Sequence, residues 1–228
     1  MRTNKLYGCG FTFQHYEQSL KLAKEKGYSF SRLCDFDDNK ECKLLILLRH
    51  DLDYPEMQKA LSFAQIESRL GIKATYFVRV HSDEYNPFGF KVHHALRQIL
   101  NMGHEMGLHY EHLDFCDVTK EDPTTVIIKD KRLLELIFDI KIKGIAGHRS
   151  WTDIQNWDFW KDHNFRDFDF QYDAYEDKFM GDMLYIDDSL RQWKEGKCMC
   201  QYISSKVPRL YFLIHPFYWY HKSFLLER

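Results

Sequence analysis

The sequence predicts an α/β fold built on a parallel sheet, either open or closed into a barrel. From about Lys43 onward, short apolar runs alternate with longer stretches of helical period, and no repeat or low-complexity linker breaks the alternation. The unusual polar clusters fall directly after the apolar runs, where a parallel fold gathers the carboxyl ends of its strands. At 228 residues the chain fits one domain or a compact barrel. Residues 1–228 are read as a single domain, with 1–42 as an N-terminal helical cap.

A helix is expected over 16–25. The run Leu44, Leu45, Ile46, Leu47, Leu48 is too short for a helix and too apolar for an edge strand, so it reads as a strand buried on both faces. Pro55 at a first-turn position, Met57, Ala60, Leu61 and Ala64 at helical spacing, and Gly71 just past the end describe a capped amphipathic helix. Residues 72–78 read as the next strand. A second helix places Val92, Ala95, Leu96, Ile99 and Leu100 on one face, stops at Gly103 and leads into a strand over 105–109. Pro123 opens a third, with Leu133, Leu134 and Ile137 on its buried side, before a strand at Gly144, Ile145, Ala146 and Gly147. Between 151 and 200 the pattern is rich in Asp, Trp and Phe and yields only a helix over 154–161 and a strand over 183–186. The last strand is 210–214. Such repeats imply parallel neighbours joined by right-handed crossovers.

Composition narrows the function. A hydrophobic fraction of 44% with 29% charged residues is that of a soluble globular protein. No stretch approaches the roughly 20 apolar residues that cross a bilayer. Residues 1–20 lack a basic region followed by an apolar run and a cleavage site, so no secretory signal is read and the cytoplasm is the expected compartment. A net charge of −2 with interleaved signs offers no basic stripe for nucleic acid. The six cysteines read as reduced thiols, and the pair Cys198 and Cys200 lacks a second pair at zinc-ribbon spacing.

Four polar clusters follow four strands: Arg49, His50, Asp51, Leu52, Asp53; then His109, Tyr110, Glu111, His112; then Gly147, His148, Arg149, Ser150; and finally His215, Pro216. Asp51 and Asp53 are two apart, and in extended backbone such side chains share a face. Two carboxylates so close resist ionising together unless a cation lies between them. A divalent ion held by one carboxylate and imidazoles, with an open position, lowers the pKa of its water to about 7. The second Asp is then free to act as general base, and a histidine opposite can protonate the departing group.

The clusters at 49–53, 71–77, 103–111 and 214–216 resemble the motifs of the polysaccharide deacetylase superfamily, in their usual order, and the resemblance extends over about 45–220. It is closest to a subgroup met among surface-polysaccharide biosynthesis proteins, with an Arg-His-Asp-x-Asp first motif and stretches similar to 157–170 and 185–193. The resemblance implies an irregular (β/α) barrel of about seven parallel strands and hydrolytic N- or O-deacetylation of a sugar with zinc or a similar divalent ion. It makes Asp51 the base, Asp53 and His109 metal ligands and His215 the general acid. The usual second metal histidine stands four residues after the first, where this chain has Leu113. His112, one residue early, and His148 are the candidates for the third ligand, with Asp114 a weaker one. Arg149 is expected to hold Asp51, although the proline that usually follows is replaced by Ser150.

Trp151, Trp193 and Trp219 are expected sugar-stacking platforms, and Asp187 and Arg191 expected substrate-binding groups. The expected partner is an acetylated sugar or sugar nucleotide. Two alternatives stand beside this reading: a hydrolase of small amides such as cyclic imides, and a non-catalytic glycan-binding homologue. Leu113 motivates the last.

Overall fold

The leucine-rich run forms the middle of a sheet. The structure, a computed structural model, describes residues 9–37, 42–193 and 196–221. Strand β2 (Leu45–Leu52) is buried at every position, because successive side chains enter two different apolar environments. Leu45 and Leu47 point into an inner cluster with Phe77, Ala146, Tyr172, Ala174 and Tyr211. Ile46, Leu48 and Leu52 join the larger cluster beneath the outer helices. The strand runs on past the leucines because Arg49, His50 and Asp51 pair in register with Thr75, Tyr76 and Phe77.

On one side of β2 lie β3 (Thr75–Val78), β4 (Glu105–Tyr110), β5 (Gly144–Gly147) and β6 (Tyr172–Asp173), and on the other β8 (Arg209–Ile214) and then β7 (Leu184–Asp187). Every pairing is parallel. The short β1 (Ser29–Ser31) pairs with the first half of β2, in line with β3 above it. The path of seven strands curls on itself: the Tyr211 hydroxyl of β8 donates to the Ala174 carbonyl just past β6 at 3.2 Å. This is the irregular (β/α) barrel of about seven parallel strands that the sequence predicts. Its end strands β6 and β7 are not paired to each other. Phe179, on the short helix α6 (Asp177–Met180), packs there against the rings of Tyr172 and Tyr211 at 5.7 and 5.9 Å.

The helices begin and end where local chemistry dictates. In α1 (Phe13–Lys26) the Thr12 hydroxyl accepts from His15 N, and Gly27 at φ 89° ends the helix. The expected cap over 1–42 is described at 9–37, where it supplies α1 and β1; residues 1–8 and 38–41 lie outside the described residues. The helices α2 (Met57–Arg69) and α3 (Phe90–Asn101) fall where the apolar periods put them, and α5 (Pro123–Phe138) is capped by Asp122 with Pro123 at its first position. Under α2, the buried Glu67 carboxylate accepts from the hydroxyls of Tyr16 and Tyr76 and meets His50 Nε2 at 2.6 Å. Among the described residues no helix is long and apolar enough to cross a membrane.

Three segments depart from expectation. β3 starts at Thr75 rather than 72, because Ile72 N still closes α2 onto Glu67 O and Ala74 N donates to His104 Nδ1. Residues 156–161 form a 3-10 turn, not an α-helix, and α4 (His112–Thr119) follows β4 directly. The helix α7 (Met199–Ser204) lies in the stretch that the sequence left unassigned.

Two glycines let the inside of the barrel fill. A Cβ at Gly107 would lie 2.3 Å from the Phe77 ring, and one at Gly144 would lie 1.9 Å from the Tyr172 ring. The aromatic rings occupy the space that those side chains would need.

Candidate active site

Alternation along the strands sends Arg49 and Asp51 from β2, Asp53 just past it, His109 from β4, His148 just past β5 and His215 just past β8 to one mouth of the barrel. His109 Nε2 lies 3.1 Å from Asp53 Oδ1 and 3.5 Å from Asp51 Oδ2. His215 Nε2 is 3.7 Å from Asp53 Oδ2. One ligand atom from each of Asp53, His109 and His148 lies within 4.8 Å of the others. His109 and His148 meet edge to face, with ring centres 5.2 Å apart.

The chemistry of this donor set fits a divalent ion. His109 Nδ1 donates to Ala146 O at 2.9 Å, which leaves Nε2 as the atom facing Asp53. This nitrogen and the Asp53 oxygen, 3.1 Å apart, need a proton or a cation between them. Asp53 Oδ1, His148 Nδ1 and Glu111 Oε1 are buried without a hydrogen-bond partner. His148 is neutral: burial, reinforced by the charge of His109, pushes its pKa down to about 3. One carboxylate and two imidazoles around a gap of this size match a three-ligand catalytic site with an open position.

Asp51 is not free. Arg49 Nε donates to Oδ1 at 2.8 Å and its NH2 group to Oδ2 at 2.7 Å, a two-pronged grip between fully buried groups. Burial alone would raise the Asp51 pKa, but Arg49, then His109, outweigh it and hold the carboxyl below its ordinary value. Arg49 NH2 also donates to the Tyr175 hydroxyl at 2.9 Å, and the guanidinium lies over the Tyr175 ring. The guanidinium on Asp51 is therefore that of Arg49 and not the expected Arg149, which is exposed. Two residues apart on one strand face, Arg49 and Asp51 need no arginine from a distant strand.

His215 has a buried partner of its own. Its Nδ1–H donates to Asp188 Oδ1 at 2.7 Å, its backbone N–H reaches the same carboxylate, and Trp219 Nε1 donates to Asp188 Oδ2 at 2.7 Å. Burial would lower the His215 pKa, but the bond and charge of Asp188, with Asp53 and Asp51, raise it to about 9. The ring's Nε2 faces the site, 3.7 Å from Asp53 Oδ2.

Sequence reasoning missed the groups that support the site. Asn156 is fully buried in the 3-10 turn, where its Nδ2 donates to His148 O at 3.0 Å and to Asp114 Oδ2 at 2.7 Å, and its Oδ1 accepts from Leu113 N. Arg79 Nε donates to Glu111 at 2.9 Å while NH1 donates to Asp53 O at 3.0 Å. No pattern in the sequence marks Asn156 or Arg79.

Several expected residues stand elsewhere. His112 is buried against Tyr110, Phe159 and Trp160 with neither ring nitrogen bonded, and it does not belong to the Asp53 group. Being the next residue but two after His109, and at the start of α4, it is turned into the helix packing. Asp114 is taken up by Ser150 and Asn156. Trp193 and Trp219 are core residues that pack on each other and on Phe11, so neither offers a face to a sugar. Trp151 is 65% exposed. Asp187 accepts from Ser189 N in its own turn, and the carboxylate that reaches His215 is its neighbour Asp188. Arg191 is exposed over the Tyr220 ring.

A cavity of about 670 Å³ opens between Tyr110, Trp157, Trp160, Phe165 and Tyr175. It does not include Asp51 or Asp53, which line a pit of about 10 Å³, but its Tyr175 wall carries the hydroxyl bonded to Arg49. The pit is about the size that holds one water, which needs roughly 10–15 Å³.

No family model matches the chain, and no curated protein matches it. Among solved structures it is similar to the Streptococcus pyogenes deacetylase PplD in complex with acetate, at 18% identity and a TM-score of 0.45. The match covers 59% of this chain and 61% of that one, less than two thirds of its length.

Proposed function

We propose that the chain is a metal-dependent hydrolase that removes an acetyl group from the nitrogen or oxygen of a sugar. The observation that carries this is the meeting of Asp53, His109 and His148 within 4.8 Å, with Asp51 beside them and His215 across from them. A zinc-class divalent ion held there would act as a Lewis acid on the acyl carbonyl and lower the pKa of a water.

The chain's own residues then divide the work. Asp51, kept ionised and fixed by Arg49, is placed to take a proton from the attacking water. His215, protonated and held by Asp188, is placed to deliver a proton from Nε2 to the leaving nitrogen or oxygen. Where the chain has Leu113, an imidazole from a different strand, His148, stands beside Asp53 and His109, and this supports the catalytic reading over the non-catalytic one. The open cavity is lined with Trp157 and Trp160, whose flat apolar faces suit the C–H groups of a pyranose. Its volume lies within the roughly 300–1,000 Å³ of ligand pockets, and its open side favours a sugar over a small imide in a sealed pocket.

Acetate release from a panel of acetylated nucleotide sugars and oligosaccharides tests this. Asp51→Asn and His215→Ala are expected to lose kcat by on the order of 10²–10⁴-fold while the bound metal stays. Full activity in both variants would refute the acid–base assignment.

A further inference from the structure

A second group of metal-binding side chains lies outside the Asp53 site. Cys9, ahead of α1, His15 in its first turn, and Cys198 and Cys200 at the start of α7 bring three thiols and one imidazole together, with one ligand atom from each within 4.8 Å of all the others. His15 Nε2 is 3.0 Å from Cys198 Sγ, and Cys9 Sγ is 3.7 Å from Cys200 Sγ. All these cysteines are free thiols. A disulfide would need about 2.05 Å between sulfurs. A tetrahedron with metal–sulfur bonds of about 2.3 Å has sulfur–sulfur edges of about 3.8 Å, which is the Cys9–Cys200 spacing to within a tenth of an ångström.

We propose that Cys9, His15, Cys198 and Cys200 form a closed structural site for a thiophilic, tetrahedral divalent cation of the zinc class. Four protein ligands leave no position for water, so the site has no hydrolytic role. On binding, each of the three thiols exchanges its proton for a sulfur–metal bond and releases the proton to solvent. His15 remains neutral and gives its Nε2 lone pair, so no group is oxidised or reduced. Chain spacing conceals this site, because His15 and Cys198 are 183 residues apart.

The consequence is mechanical. Two residues after Cys9, Phe11 packs on Trp193 and Trp219, each at 5.3 Å. The same segment exchanges backbone hydrogen bonds with Tyr220. Trp219 donates to Asp188, the partner of His215. An ion that ties Cys9 to α7 fixes this layer behind the Asp188–His215 pair.

Cobalt(II) loading separates this site from the Asp53 site, since only thiolate ligands give a sulfur-to-cobalt charge-transfer band in the near ultraviolet. The band, with one cobalt per chain, is expected in Asp53→Ala protein, where the other site is disabled. It is expected to vanish in Cys198→Ser/Cys200→Ser and to weaken in Cys9→Ser, which alters an exposed residue and leaves two thiolates. Zinc added to the cobalt form is expected to abolish the band. Absence of the band in reduced wild-type protein, a band of undiminished intensity in folded Cys9→Ser, or recovery of only a Cys9–Cys200 disulfide that binds no cobalt after reduction would overturn the proposal. Loss of metal from the Asp53 site alone leaves the band intact, so each site fails independently of the other.

Discussion

In the proposed reaction Asp188 is a positioning residue that acts through His215. Its carboxylate accepts from the ring and supports the proton that His215 holds up to about pH 9. A general acid with a raised pKa is active below that value and loses its proton as pH rises through it. Asp188→Asn removes the charge, so the alkaline fall in kcat is expected at lower pH than in the wild type, with metal content unchanged; a pH–rate profile of both proteins checks this. His112 carries the opposite sign. Burial, with the charges of His81 and His163, lowers its pKa to about 3, against about 6.5 in the unfolded chain. The unfolded state then binds more protons between those values, so stability is full above about pH 6.5 and falls as pH drops towards 3. His112→Phe fits the same aromatic surroundings and removes two unbonded nitrogens. It is expected to shift the acid unfolding midpoint to lower pH, through a gain in stability at low pH on the order of a few kcal/mol at most. At this scale the sequence singled out Asp51, Asp53, His109, His148 and His215 as candidates, because strand ends and two-residue spacing imply a shared face, and these side chains do meet at one mouth. The choice of Arg49 over Arg149, and of His148 over His112, depends on which neighbours lie across the barrel, and spacing does not encode that.

Elements were legible in proportion to their regularity. β2, α2, α3, α5 and β8 lie where apolar runs and helical periods put them, since each buries a continuous face. Residues 151–200 gave least, because 3-10 turns and two-residue strands have no period to read. Asn156 belongs to that stretch, yet it fixes His148 through the backbone carbonyl. The glycines of β4 and β5 are constraints of packing that periodicity also hides. Gly144→Ala would drive a methyl into the Tyr172 ring, 1.9 Å from the built Cβ. Overpacking of this kind costs about 1–3 kcal/mol or more, and the variant is expected to unfold at a correspondingly lower urea midpoint, whereas Ala at solvent-facing Gly196 is expected to cost less than Gly144→Ala. Equal midpoints for Gly144→Ala and the wild type would show that the ring moves freely.

Across the whole molecule, the curl of the sheet gathers residues from four strands that are separated by more than 160 positions in the chain, from Arg49 to His215. Alternation alone predicted a parallel α/β sheet, open or closed, and the family resemblance implied the barrel; the open edge between β6 and β7, filled by Phe179, was legible in neither. The single physical demand behind every functional statement is that Asp53, His109 and His148 share one cation. Metal content of purified wild type, Asp53→Ala, His148→Ala and His112→Ala proteins measures this most directly. Asp53→Ala and His148→Ala are expected to lose one ion per chain relative to the wild type, and His112→Ala to lose none. Unchanged metal in Asp53→Ala and His148→Ala, or loss confined to His112→Ala, would contradict it.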